Sequence, residues 1–180
     1  MRNIRSLATA AFASMALMAS TSFGQYRGVA KFREHERNVH EHLRRLYILD
    51  SDVLAHKNWD QLRESHADNI VVHWPGGRTS KGLRKHVEEL KAMFAYAPDI
   101  HVQGHPAKFG SDDWTCVIGS MAGTFTKPMP IGGGKTIPPT GKRFTINICM
   151  VAHWNKDGLM DEEYLFWDNQ SDTRQLGITR

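Results

Sequence analysis

The last apolar segment of the chain carries acids and aromatic residues in an order that could support proton transfer. Residues 159–168 read L-M-D-E-E-Y-L-F-W-D and follow a turn at residues 155–158. Side chains of a strand repeat with period two, which sorts this segment into two faces. One face carries Glu162, Tyr164, Phe166 and Asp168, and the other carries Glu163, Leu165 and Trp167.

If the first face borders a cavity, Asp168 is an acid in apolar surroundings, which is the environment that suits a general acid or base. The same residue also fits the polar end of a strand, because it precedes the polar run at residues 169–172. Glu162 is the rival acid. It lies six positions before Asp168, which is about 20 Å at roughly 3.3 Å per residue, too far for one substrate atom to meet both.

The cysteines and histidines do not follow a metal-binding pattern. The chain has two cysteines and ten histidines, without C-x-x-C or H-E-x-x-H spacing. We therefore expect no metal. Cys116 and Cys149 are predicted to lie on neighbouring antiparallel strands, where either a disulfide or two small buried side chains would fit.

The first 24 residues differ from the remainder. Arg2 and Arg5 precede an apolar run, and small residues follow up to Gly24, a pattern typical of a secretory signal peptide cleaved before Gln25. We expect residues 25–180 to form one domain, periplasmic or secreted, with no membrane association after cleavage. Loss of two arginines lowers the formal charge from +4 to +2, and the scattered basic residues do not indicate nucleic-acid binding.

The order of elements predicts an α+β fold. Helical periodicity is present from Phe32 to Leu49, again from Val53 to about His66 with a break near residues 57–59, and from an N-cap at Ser80 to before Pro98. A short strand at residues 69–74 separates the second and third helices. Extended stretches at residues 100–109, 114–126, 143–154 and 159–168 then predict an antiparallel meander. The glycine- and proline-rich stretch 127–141 is predicted to be a long loop, either a lid or a flexible hairpin.

Several segments in this order resemble the SnoaL-like polyketide cyclases of the nuclear transport factor 2-like, ketosteroid-isomerase-like superfamily. They are N-W-D-Q-L (58–62), N-I-V-V-H (69–73), K-G-L-R-K-H-V (81–87), A-P-D-I (97–100), G-T-F (123–125), P-T-G-K-R-F (139–144), W-N-K-D-G (154–158), E-E-Y-L-F-W-D (162–168) and Q-L-G (175–177). The resemblance covers about residues 40–178.

The resemblance implies a cone-shaped, strongly curved antiparallel sheet packed over three N-terminal helices and enclosing an apolar pocket. Cyclases of this family close a ring by an intramolecular aldol reaction without metal or organic cofactor, and an aspartate that matches Asp168 is their acid/base residue. His73 matches a family position near the pocket mouth, where it could either polarise a carbonyl or simply end a strand.

The penultimate strand departs from the family pattern. With Ile146, Ile148, Met150 and Ala152 facing the pocket, the polar partners that the cyclases carry there are missing. A shift of one residue would instead turn His153 inward as a catalytic partner. The side chains that we expect to line the pocket are Trp59, Trp74, Phe94, Phe125, Met150, Glu162, Tyr164 and Phe166.

Three functions remain open at this stage. The first is an exported enzyme that performs cofactor-independent aldol cyclisation, isomerisation or dehydration on a small apolar carbonyl compound. The second is a noncatalytic protein that binds a small ligand outside the cytoplasm, which the missing polar partners favour. The third is an interaction module, expected to be a homodimer, whose sheet face bearing Trp114 and Trp167 is the working surface.

Overall fold

The computed structural model describes the backbone of residues 5–178 and the side chains of residues 26–178. Its helical elements are α1 (Arg5–Ile48), a π-helical turn (Leu49–Leu54), a 3-10 turn (Trp59–Glu64), α2 (Leu83–Tyr96) and α3 (Asn169–Leu176). Its strands are β1 (His66–His73), β2 (Thr79–Lys81), β3 (His101–Ser111), β4 (Trp114–Thr124), β5 (Met129–Gly132), β6 (Lys135–Ile137), β7 (Arg143–Trp154) and β8 (Met160–Phe166).

The chain divides into two units, residues 1–38 and residues 39–180. The first unit contains the N-terminal part of α1 and the expected signal peptide. The side chains of residues 1–24 lie outside the described residues, so cleavage before Gln25 stays a prediction. Among the described residues, no helix is both long enough and apolar enough to cross a membrane.

The second unit is built on a six-stranded sheet with the strand order β2-β1-β8-β7-β4-β3. Strands β3, β4, β7 and β8 form the predicted meander, with antiparallel pairing throughout. The expectation of a wholly antiparallel sheet is wrong at one place, because β1 pairs with β8 in parallel. The chain forms β2 and α2 after β1 and begins the meander at the far edge of the sheet with β3. Only β8, the last strand of the meander, lies beside β1.

The inner face of β7 is the predicted one. Ile146, Met150 and Ala152 are buried there, and Ile148 borders the same interior. Two apolar clusters fill the interior between the sheet and the helices. One is centred on Leu62, Ile70 and Trp154, and the other on Phe125 and Phe144.

The segment predicted as a second helix is two short irregular turns instead. The π-helical turn Leu49–Leu54 extends α1, and Lys57 then takes a left-handed φ of 58° before the 3-10 turn begins. The expected cap of the next helix is also displaced. Ser80 lies on β2 and donates to Glu89 Oε2 at 2.7 Å, whereas Gly82, with φ 90°, precedes α2.

The loop predicted at residues 127–141 contains a small hairpin of β5 and β6. Its turn is made by Gly133 and Gly134, both with positive φ, a conformation that glycine adopts without strain. The C-terminal helix α3 was not predicted, because its polar sequence gives no apolar stripe.

Candidate active site

A cavity of about 90 Å³ lies between the sheet, the π-helical turn and α2. Its walls are mostly apolar and include Leu90, Val117, Ile148, Leu165 and Trp167. Five titratable side chains interrupt this lining: Asp50, His66, His86, His105 and Glu163. An apolar cavity with a few convergent polar groups is the usual form of a small-molecule site.

Glu163 enters this cavity from β8. It pairs in register with Val72 of β1 and Ala152 of β7, and only 3% of its surface is exposed. The Oε2 atom of Glu163 is buried and has no hydrogen-bond partner among the described residues. An unpaired carboxylate in such a place is costly, so the group responds by taking up a proton.

Burial raises the pKa of Glu163 to about 8, and the negative charge of Asp50 adds to this effect. The carboxyl is therefore mostly protonated at neutral pH. A neutral carboxylic acid in apolar surroundings can donate a hydrogen bond or a proton to a substrate oxygen.

His66 and His86 lie beside this acid, with their rings 5.3 Å apart. Burial lowers the pKa of His66 to about 3, assisted by His86, and burial lowers the pKa of His86 to about 4. The Nδ1 atom of His66 lies 3.1 Å from the Leu62 carbonyl oxygen, which can only accept a hydrogen bond. Nδ1 also lies 2.9 Å from Ser65 Oγ, so its role as donor or acceptor depends on the tautomer of His66.

The contact between His86 and Glu163 is not an ion pair at neutral pH, although His86 Nε2 lies 3.6 Å from Glu163 Oε2. In an ion pair the pKa of the histidine would rise and that of the acid would fall. Both pKa values move in the opposite directions because both side chains are buried. The cluster is thus a neutral acid beside two neutral imidazoles.

The same three residues are the one group of candidate metal ligands found among the described residues, with ligand atoms within 4.8 Å of one another. Zinc bonds of about 2.0–2.1 Å place tetrahedral ligand atoms roughly 3.4 Å apart. One pair of these atoms, His86 Nε2 and Glu163 Oε2, is 3.6 Å apart, which is close to this spacing.

A second polar pair, Asp50 and His105, also lines the cavity. His105 Nε2 is 2.8 Å from Asp50 Oδ2, and each side chain is 11% exposed. Asp50 belongs to the π-helical turn and His105 to β3. The cavity therefore contains two separate acid/base groups.

The structure contradicts the prediction that Asp168 is a desolvated acid on the pocket face. Asp168 is exposed and is the N-cap of α3, where its Oδ1 accepts from Gln170 N at 2.9 Å and from Ser171 N at 3.1 Å. Both faces of β8 carry an acid and aromatic residues, so the alternation alone could not show which face is inside. Of the two predicted roles for Asp168, the polar end of the strand is the correct one.

The other residues expected with Asp168 lie on the outer face of the sheet. Glu162 Oε1 accepts from Tyr164 Oη at 2.8 Å and lies 2.9 Å from His73 Nε2. The rings of His73 and Tyr164 are stacked, with centroids 4.1 Å apart. Phe166 is 53% exposed. His73, Glu162, Tyr164 and Phe166 therefore do not reach the cavity.

His153 also lies on the outer face, which is the favoured of its two predicted registers. Its Nδ1 is 2.6 Å from Asp161 Oδ1, and its ring packs beside Trp114. A role for His153 as an inward catalytic partner is excluded by this register.

The remaining expected pocket residues divide into two sets. Trp74 and Met150 line the cavity. Phe94 and Phe125 are buried in the second apolar cluster, with Trp59 packed edge-on against Phe94 at 5.2 Å. Trp59, Phe94 and Phe125 thus support the fold rather than the cavity wall.

Cys116 and Cys149 lie on neighbouring strands, as predicted, but diagonally. Cys116 pairs in register with Val151, and Cys149 pairs with Ile118. Both thiols are free, with Sγ atoms 3.8 Å apart. A disulfide requires about 2.05 Å and stays a prediction.

Comparison with known proteins assigns the family. The model of the SnoaL-like polyketide cyclase family matches residues 41–176. The chain belongs to this family. The family suggests a cofactor-independent cyclase or isomerase fold, and no curated protein matches the chain significantly.

Solved structures of similar proteins confirm the fold of this SnoaL-like chain. A candidate SnoaL-like polyketide cyclase from Jannaschia Sp. CCS1 is 17% identical with a TM-score of 0.67, over 81% of this chain and 95% of the other. IdmH, a candidate polyketide cyclase from Streptomyces antibioticus, is 21% identical with a TM-score of 0.60, over 73% and 95%. A candidate polyketide cyclase from Xanthomonas campestris pv. campestris is 11% identical with a TM-score of 0.66, over 77% and 98%.

Sequence reasoning missed all five polar residues of the cavity as site residues. Glu163 could have been found by giving equal weight to the second face of β8. His66, His86 and His105 have no common spacing, and only the tertiary structure brings them together.

Proposed function

We propose that this SnoaL-like protein is a cyclase or isomerase that performs cofactor-independent acid/base chemistry on a small apolar carbonyl compound, and that it acts outside the cytoplasm. One observation carries the catalytic part of the proposal. Glu163 is a buried carboxyl, protonated at neutral pH, that borders an apolar cavity and has an unpartnered oxygen.

The acid supplies what enolisation of a carbonyl compound needs at the oxygen. When a base removes a proton next to the carbonyl, negative charge develops on that oxygen. A preorganised donor in a dry site stabilises this charge far more than it would in water. Glu163 can donate because its pKa is close to the working pH, which is also the condition for efficient proton transfer.

His66 and His86 lie next to the carboxyl of Glu163 without competing for its charge. Both imidazoles are neutral at the pH at which Glu163 is protonated. Neither ring therefore stabilises the ionised form of Glu163 by ion pairing. The carboxyl keeps its proton, which it can donate to the substrate.

The size of the cavity favours a small substrate. Its volume of about 90 Å³ is less than the roughly 150 Å³ of an engineered cavity that binds benzene. A compound of about four heavy atoms, or the carbonyl end of a larger one that extends through the opening, matches this space. Cyclopentanone, an apolar ketone with enolisable C–H bonds, is a suitable probe.

Deuterium incorporation into cyclopentanone in D₂O, followed by proton NMR, tests this function. The protein should accelerate exchange at the carbons next to the carbonyl. Glu163→Gln keeps the shape of the side chain but removes the transferable proton, so exchange should fall by about 10²-fold or more. Glu162→Gln is the matched control, because this neighbouring acid faces outward.

Three outcomes are informative. Exchange that survives chelator treatment and depends on Glu163 supports the proposal. Exchange that depends on Glu163 but is abolished by EDTA would contradict cofactor independence. It would indicate that His66, His86 and Glu163 bind a metal ion. Binding of cyclopentanone without any exchange would favour a noncatalytic ligand-binding protein.

A further inference from the structure

Two local irregularities in the backbone converge on the cavity. The first is in β3, where the pairing with β4 shifts register between Val102 and Gly104 and again between Gly104 and Ala107. Val102 and His105 both line the cavity, although residues three apart in a regular strand face opposite sides. The bulges therefore turn His105 inward, and bulges next to active sites commonly re-aim a side chain in this way.

The facing strand leaves space for that histidine. Gly119 of β4 has no side chain, and a Cβ placed there would lie 3.1 Å from His105 Cδ2 and 2.8 Å from the Gly104 carbonyl oxygen. The contact with the Gly104 carbonyl oxygen is shorter than Cβ atoms make, and the contact with the ring is tight. A glycine at this position therefore fits the backbone of the bulge and leaves room for the ring of His105.

The second irregularity is the π-helical turn Leu49–Leu54. Its extra residue per turn changes the direction of the side chains after Ile48, and Asp50 reaches the same cavity as His105. Single π-helical turns are rare and are often found at functional sites. The turn and the bulge bring Asp50 Oδ2 to 2.8 Å from His105 Nε2.

The surroundings of the pair suit a working base more than a structural link. Each side chain is only 11% exposed, and both line the cavity rather than the protein surface. Asp50 raises the pKa of Glu163 across the cavity, which shows that the two groups interact electrostatically. The pair and the acid therefore face a common space.

From this arrangement we propose that His105 is the general base of the site and that Asp50 positions it and stabilises its positive charge. The inference rests on the proposed function, and it names the substrate class more closely: an enolisable ketone or aldehyde whose oxygen meets Glu163 while its neighbouring C–H bond faces His105.

The proton transfers balance without any further reagent. Nε2 of His105 donates to Asp50, so Nδ1 takes the proton from the carbon next to the carbonyl, and the electron pair of that C–H bond forms the C=C bond of the enol. The carbonyl π electrons move to oxygen, which takes the proton of Glu163. Return of the proton from His105 to carbon, and of the enol proton to Glu163, completes either exchange or isomerisation.

His105→Gln and Asp50→Asn test the assignment in the cyclopentanone exchange experiment. We expect His105→Gln to lower exchange by about 10²-fold or more. Asp50→Asn should lower it by at least about tenfold, because the positive charge formed on His105 loses its partner. Binding of cyclopentanone, followed by the fluorescence of Trp74 and Trp167, should change by less than about twofold in both variants.

Chemical rescue separates a base from a structural residue. In His105→Ala, added imidazole should restore exchange by tenfold or more, whereas a loss due to altered folding would not respond. The matched control is the outer-face pair, because His153 and Asp161 have the same residue types at 2.6 Å. Exchange in His153→Gln and Asp161→Asn should equal that of the parent.

The outcomes distinguish the two proposals. If Glu163→Gln abolishes exchange while His105→Gln and Asp50→Asn leave it unchanged, the base assignment is wrong and the proposed function stands. If His105→Ala stays folded by circular dichroism but imidazole gives no recovery, the base assignment is also wrong. If the parent protein does not accelerate exchange at all, both proposals fail.

Discussion

Glu163 and Glu162 are adjacent acids in opposite environments. Glu163 has a pKa raised to about 8 by burial, whereas hydrogen bonds from His73 and Tyr164 lower the pKa of Glu162. The two residues have the same intrinsic chemistry, so their difference comes from the side of β8 on which each lies. This pair allows the effect of burial to be measured with a control one residue away.

The first prediction concerns stability and pH. A group whose folded-state pKa is raised contributes stability below its unfolded pKa and loses it as pH rises through the folded value. For Glu163 this window runs from 4.5 to about 8, with a change of up to about 1.4 kcal/mol per pH unit. Glu163→Gln should therefore gain stability relative to the parent as pH increases from 5 to 8.

Urea unfolding of both proteins at pH 5, 6.5 and 8 measures this difference. His66 and His86 have lowered pKa values and lose stability toward acid, below 6.5. Both proteins contain these histidines, so much of their effect cancels in the difference between the two free energies of unfolding. A difference between Glu163→Gln and the parent that stays constant from pH 5 to pH 8 would show that Glu163 is not buried as a neutral acid.

At the scale of elements, the polar end of β8 has a structural role. Asp168 ends the strand and begins α3 by accepting from two backbone N–H groups. These N–H groups have no partner within the helix, and a side-chain oxygen satisfies them. The same carboxylate also interacts favourably with the positive end of the helix.

The second prediction follows from this cap. Asp168→Ala should lower the free energy of unfolding by about 1 kcal/mol, whereas Asp168→Asn should retain most of it, because asparagine is an equally good N-cap. Neither variant should change cyclopentanone exchange when measured on folded protein. A large loss of exchange in Asp168→Asn with unchanged stability would restore the family-based assignment of Asp168 as acid/base residue.

At the scale of the whole molecule, the outer face of the sheet is unusually apolar. Phe109, Trp114, Ile118 and Phe166 are between 40% and 60% exposed. Phe109 pairs in register with Cys116. Cys149 pairs with Ile118 on one side and with Phe166 on the other. These side chains therefore share one face of the sheet. Trp167, which was expected on this face, points to the cavity instead.

A homodimer formed through this outer face is the third prediction. Contiguous exposed apolar side chains are typical of association surfaces. Light scattering should give twice the mass of the mature chain, and Ile118→Asp should shift the protein to monomer while leaving circular dichroism unchanged. A monomeric parent across micromolar concentrations would rule out this association.

The fourth prediction concerns maturation. The basic start, apolar run and small residues of the first 24 positions predict export and cleavage before Gln25. N-terminal sequencing of protein recovered outside the cytoplasm should begin at Gln25. Recovery of the chain only in the cytoplasm, with Met1 intact, would contradict it.

The amino-acid sequence by itself determined the α+β fold, the four strands of the meander and the inner alternation of β7. These features follow from local patterns, because period-two burial and turn residues are written in consecutive positions. The choice of inner face on β8 was different. Glu163 and Glu162 both alternate with aromatic or apolar residues. Only packing of the sheet against the π-helical turn and α2 decides which of the two acids is buried.

The candidate site depended on tertiary structure for the same reason. His66, His86 and His105 are far apart in sequence and lie on three elements, and a bulge reverses the direction that simple alternation gives to His105. The local sequence does not show which distant strands pair, or where a bulge inserts an extra residue into one of them. The fold therefore brings buried histidines and acids from separate parts of the chain into one apolar cavity, where they form the proposed catalytic set.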